Sequence, residues 1–109
     1  MIRGEVYYAN LGRTRGSEQG GIRPVLIVQN DVGNKYSSTT IICPLTSQYK
    51  PNLPTHVEVF GLHKPSIVLC EQIRVIDIKQ VFEEKLLYVL TDEEMENVNK
   101  AIKVSVGVE

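Results

Sequence analysis

The spacing of apolar residues changes period once along this chain, at Thr91, and that change limits the possible folds more than any other feature. Before it, apolar stretches are short, rich in β-branched residues and separated by turn-forming residues. Such a pattern predicts strands over 5–9, 24–29, 39–45, 55–60, 66–74 and 85–90. The core of the second strand, Val25-Leu26-Ile27-Val28, does not alternate, so both of its faces are expected to be buried. After Thr91 the period becomes helical. Met95, Val98, Ile102 and Ser105 fall on one stripe, with Ala101 beside them, which predicts one amphipathic helix over 92–104. Thr91-Asp92-Glu93-Glu94 supplies a capping box, with Glu94 three residues after Thr91, and acids for the positive end of the helix dipole. A chain of 109 residues suits a single domain, 1–109, around one core. Strands followed by one terminal helix predict a mainly β fold with a C-terminal helix, a small curved sheet or barrel against which the helix packs.

Several function classes are excluded. No apolar run approaches the ~20 residues that span a bilayer, and the opening Met1-Ile2-Arg3-Gly4-Glu5 lacks a signal pattern. No membrane association is expected, and a cytoplasmic location is. Cys43 and Cys70 lie inside apolar runs and read as free, buried thiols. Two cysteines with His56 and His63 give no zinc-like spacing, so neither metal nor cofactor is expected. The net charge of −1 argues against a dedicated polyanion binder, but the charges are unevenly placed. Residues 1–54 hold six basic and three acidic groups, and residues 55–109 hold six and ten. The acids between Glu83 and Glu96 also serve to solvate the terminal helix.

The stretch from Gly16 to Asp31 concentrates the candidate chemistry. A polar loop of about twelve residues, 10–21, is long enough to be functional. It runs into Arg23, which Pro24 forces into an extended conformation. A guanidinium held at the mouth of a buried strand can fork onto two phosphate oxygens and keeps its charge. The competing reading is a surface arginine paired to Glu18 or Asp31. Gly20-Gly21 permits a sharp bend or close approach of backbone, and Ser17, Glu18 and Gln19 add groups that can read exposed base edges. They are equally typical of a solvated loop. Pro44 is expected to end the third strand and leave Thr46 on the rim, as a phosphate-binding hydroxyl or as a turn cap. Asn30–Ser38 reads as a turn region. Strand alternation through Glu71-Gln72-Ile73-Arg74 would put Gln72 and Arg74 on one face, where Gln72 can line a groove. The other reading has Glu71 and Arg74 pairing with neighbours. His56 is expected beside a groove, but neither histidine completes a conventional acid–base constellation.

Five segments then carry a resemblance: Arg3–Ala9, Gly16–Asp31, Pro44-Leu45-Thr46, Leu53–Glu58 and Ser66–Asp77. In this order they resemble the MazF/PemK-like toxins of bacterial toxin–antitoxin systems, across nearly the whole chain. The resemblance implies a small SH3-like β-barrel (MazF/CcdB-like) with a C-terminal helix, assembled as a homodimer. It implies a metal-independent endoribonuclease that cuts single-stranded RNA at short sequences by 2′-hydroxyl attack, leaving 2′,3′-cyclic phosphate and 5′-hydroxyl ends. Arg23 and Thr46 take the catalytic positions, and Ser17, Gln19, His56 and Gln72 the RNA-binding ones. With no tuned general base in view, slow turnover is expected. The implied partner is an antitoxin with an acidic, disordered tail. Gly61–Pro65 is shorter than in many relatives, which loosens expectations about contacts through that loop. The alternative is a CcdB-like poison that binds DNA gyrase without cutting RNA. A binding module that has lost activity is a third reading, which the intact Arg23/Thr46 pair gives no reason to prefer.

Overall fold

A computed structural model describes all 109 residues. Its strands are β1 (Glu5–Asn10), β2 (Ile22–Ile27), β3 (Thr39–Thr46), β4 (His56–Val59), β5 (Ser66–Leu69), β6 (Arg74–Asp77) and β7 (Tyr88–Val89). A short helix, α1 (Asp31–Tyr36), lies between β2 and β3, and α2 (Asp92–Val106) follows β7. The strands form one antiparallel sheet in the order β4-β5-β3-β2-β1-β7, with β6 also on β3. No helix is long and apolar enough to cross a membrane.

The sheet curves around β3. One edge of β3 pairs with β2; the other is shared by β6 at Thr39–Ile42 and β5 at Leu45–Thr46. Three steps along β3, from Ile42 to Leu45, are matched by six along its partner, from Arg74 back to Val68. The surplus is taken up by a 3-10 turn at Cys70–Gln72. Like a large bulge, it bends the sheet and swings its residues out of the ladder. The expected single strand over 66–74 is therefore two strands. Cys70 still holds the β4 register, its amide donating to Thr55 O at 3.0 Å one step beyond the His56–Leu69 pair, and the chain turns away from the sheet from there to Gln72.

Two apolar clusters occupy the two faces of the sheet. Val6, Leu26, Val28, Cys43, Leu45 and Val68 pack with Val98 and Ala101 of α2 on one face. Tyr7, Ala9, Leu11, Val25, Ile27, Ile42, Ile76 and Val81 form the other. Residues 25–28 thus feed both clusters alternately, as their unbroken apolar run predicts. The helix caps also form as read, with Thr91 accepting from Glu94 N and the Glu94 side chain accepting from Thr91 N.

Two local expectations are corrected. Asn30–Ser38 contains a helix, because the Asn30 side chain caps it by accepting from Gly33 N at 2.8 Å. Pro44 does not end the third strand. It pairs opposite Val25, and β5 takes up Leu45 and Thr46 beyond it. The result is a half-barrel sheet with a C-terminal helix, matching the expected fold class.

Candidate functional site

Alternation along β2 and β3 sets the site. Arg23 shares a face with Val25 and Ile27, and Thr46 shares a face with Ile42, so both project where the second cluster ends. The β2–β3 register places Val25 opposite Pro44. Continued by two residues, it sets Arg23 level with Thr46.

Arg23 is half-buried, and its Nε donates to Gly20 O at 2.8 Å. That single bond fixes the plane of the guanidinium and leaves both terminal nitrogens without a protein partner. No carboxylate lies within ion-pairing distance, since the ion pairs of the molecule are elsewhere. Asp31 instead accepts from Arg3 N at 2.7 Å. The reading of Arg23 as a surface arginine paired to Glu18 or Asp31 is thereby removed. Thr46 is nearly enclosed, at 3% exposure. Its Oγ1 accepts from Gln48 N at 3.2 Å, which leaves the hydroxyl hydrogen to donate. The turn-capping and phosphate-binding readings of Thr46 are thus compatible.

The loop after β1 closes over this end of the sheet. Leu11 N donates to Gly21 O and Gly21 N to Gly12 O, both at 2.8 Å. Gly21 has φ +70°, and a side chain on Gly20 would meet Thr14 Oγ1 at 2.7 Å and Gly12 O at 2.9 Å. Both glycines are therefore required, one for its backbone angle and one for close approach. Two arginines grip the ends of the loop: Arg23 holds Gly20, and Arg74 Nη2 donates to Leu11 O at 3.5 Å.

Gln72 holds the middle. Its Oε1 accepts from Gln19 N at 2.8 Å and its Nε2 donates to Ser17 O at 3.3 Å. The sequence named these three residues separately; the structure brings them together. Gln19 is 8% exposed, and its Oε1 is buried with no hydrogen-bond partner. An unmade bond of that kind costs about 1–3 kcal/mol, a local cost borne inside the loop rather than on its surface. Beside it, Glu18, Glu71, Gln72, Ile73 and Arg74 line a shallow groove.

His56 sits apart from Arg23, on β4 at the edge of the sheet. Its Nδ1 contacts Pro51 O at 2.8 Å and its Nε2 contacts Glu71 Oε2 at 2.9 Å. Its link to the groove runs through Glu71. Sequence alternation had put Gln72 and Arg74 on one strand face; the 3-10 turn replaces that arrangement, and each side chain reaches the loop by its own route. Arg74 was the residue whose part in holding the loop went unread, and its position after an apolar run with Gln72 two residues before was the available signal. No three His, Cys, Asp or Glu side chains come together as a metal ligand set.

Comparison with known proteins gives the family. Residues 2–106 match the family model described as the PemK-like, MazF-like toxin of type II toxin–antitoxin systems. The chain is similar to the endoribonuclease MazF of Staphylococcus saprophyticus, at 51% identity over 99% of this chain and 92% of that protein. Its fold is similar to that of a mycobacterial endoribonuclease in complex with its cognate antitoxin, with a TM-score of 0.84 at 24% identity over 100% of this chain and 97% of that one. MazF from Deinococcus radiodurans also gives 0.84, at 23% identity over 99% and 97%. The chain belongs to the PemK-like, MazF-like family of type II toxin–antitoxin toxins.

Proposed function

We propose that this chain is an endoribonuclease toxin that cuts single-stranded RNA without a metal ion. The observation that carries the reading is Arg23, a fixed guanidinium with two free terminal nitrogens and no carboxylate partner. Extending the β2–β3 register two residues past the Val25–Pro44 pair sets it level with Thr46, in a family whose relative is named an endoribonuclease.

The chemistry follows from the charges. The ribose 2′-oxygen attacks the adjacent phosphorus and loses its proton. The 5′-oxygen of the next nucleotide leaves and gains one. Between these events the phosphorane carries extra negative charge on its equatorial oxygens. A forked cation already in place stabilises that charge without reorganising, an effect of about 3–4 kcal/mol for a well-placed donor. Thr46 donates to the same phosphate. The products are a 2′,3′-cyclic phosphate and a 5′-hydroxyl.

Ser17, Gln19 and Gln72 form the wall that holds the RNA, with His56 acting on that wall through Glu71. The groove beside that wall, lined by Glu18, Glu71, Gln72, Ile73 and Arg74, offers polar groups to base edges of the kind that unstacked RNA exposes. The expected partner is an antitoxin with an acidic, disordered tail, which the basic N-terminal half would attract. The active form is a homodimer in the cytoplasm.

Incubation of the purified protein with a long RNA in EDTA tests the reading. Discrete fragments with 5′-hydroxyl ends are expected. Intact RNA from folded protein contradicts it, and inhibition of DNA gyrase without RNA cleavage selects the CcdB-like alternative.

A further inference from the structure

His56 is almost enclosed, with its side chain 6% exposed, yet both ring nitrogens face oxygens. Pro51 O is a carbonyl and has no hydrogen to give. The Glu71 carboxylate, when ionised, has none either. Both contacts are complete hydrogen bonds only when the ring carries a proton on each nitrogen. A neutral ring can serve one of them, and the other becomes a contact between two lone pairs.

The geometry points to His56 as a positioning residue whose doubly protonated ring sets the RNA-binding wall. The connection runs in short steps. His56 anchors on Pro51 in the loop before β4 and reaches Glu71 in the 3-10 turn. The backbone reinforces the join, with Cys70 N on Thr55 O at 3.0 Å. The next residue of the turn is Gln72, which holds Gln19 N and Ser17 O. Glu71 itself lines the groove beside Gln72 and Arg74. The ring therefore fixes one carboxylate and, through it, the stretch of chain from which the loop is held.

The charges around the ring come from three elements. Glu71 reaches it from the turn, while Glu58 from β4 and Lys100 from α2 line the same recess. Glu71 is the one in contact, at 2.9 Å.

The effect on catalysis rests on the RNA-cleaving reading above; the effect on the loop does not. Nitrogen-15 NMR of the folded protein at neutral pH is expected to show both His56 ring nitrogens protonated. A neutral, single-tautomer signature overturns the inference. In His56→Ala, hydrogen-exchange protection of the Gln19 amide is expected to fall roughly tenfold, the scale of one hydrogen bond to a charged group. Protection of α2 amides such as that of Ala101 stays unchanged. KM for RNA rises by a similar factor, with kcat nearly constant. Unaltered Gln19 protection contradicts the proposal.

Glu71→Gln is the gentler variant, because its amide removes the charge and offers an N–H that can donate to a neutral ring nitrogen. It is expected to leave the ring singly protonated at neutral pH with both contacts kept, and Gln19 protected as in the wild type. A ring still protonated at both nitrogens in that variant also overturns the inference. Should the wild-type protein leave RNA intact, the ring signature and Gln19 exchange still decide the matter.

Discussion

The two faces of the sheet are finished by opposite means. One is covered by α2, whose buried Val98 and Ala101 meet Leu26, Leu45 and Val68 in a dry apolar contact. The other also begins as an apolar cluster, from Tyr7 to Val81, but ends under a polar loop. There the loop backbone is held by the side chains of Arg23, Gln72 and Arg74. The first face contributes stability through area removed from water. The second leaves groups incompletely satisfied, namely the terminal nitrogens of Arg23 and the oxygen of Gln19. The buried Gln19 oxygen costs stability, while the Arg23 nitrogens, held without a protein partner, are suited to receive a ligand. β2 serves both faces, so neighbouring residues on one strand should have separable roles.

The largest expected effect is on the polar face. Arg23→Ala should lower RNA cleavage about 10²–10³-fold, the range for removing one preformed charge stabiliser. Its unfolding free energy should fall by only about 1 kcal/mol, the worth of one hydrogen bond. Cleavage kinetics and urea denaturation of the same preparation check both. Leu26→Ala, three residues away and fully buried on the helix face, should do the reverse. It should cost about 2–5 kcal/mol of stability while leaving the rate per folded molecule near wild type. A large loss of rate in the folded Leu26 variant breaks the separation.

Smaller effects sharpen it. Thr91→Ala removes the cap of α2 and should cost about 1 kcal/mol, with no change in cleavage. The last prediction concerns alkaline pH. Burial, with the hydrogen bond to Glu5, pushes the Tyr7 phenol up from 10.0 to about 12. Folding therefore favours the protonated phenol. Its contribution is complete below about pH 10 and is lost as pH rises toward 12, so stability should decline over that window. A Tyr7→Phe variant should show a shallower decline. The Cys43 thiol, beside that of Cys70, is also pushed up by that neighbour and by burial. The same sign applies to it.

Much of the apolar face was legible in the sequence, because local patterns determine it. The Val25–Val28 run implied two buried faces, and Thr91 with Glu94 announced the helix. The misreadings fall where a local signal was overridden or overlooked. Cys70 continues an apolar run that looks like strand and stays in register with β4, while the 3-10 turn that follows it ends the strand there. Asn30-Asp31 is a legitimate helix start, but Gly33 and Asn34 disguised it as a turn. On the polar face, Arg23 and Gln72 were readable as candidates while their partners were not. Gln72 meets Gln19 across 53 residues of sequence and His56 meets Glu71 across 15. Spacing carries no record of such pairs; the three-residue surplus opposite β3 creates the turn that makes them possible.

Catalysis rests most on Arg23 as a fixed fork, held by one nitrogen so that two others face phosphate. Single-turnover cleavage by Arg23→Lys tests it most directly, because lysine keeps the charge but cannot hold Gly20 and two phosphate oxygens in one plane. The predicted result is a folded variant whose rate lies close to that of Arg23→Ala. A lysine variant that cleaves at the wild-type rate would contradict the account.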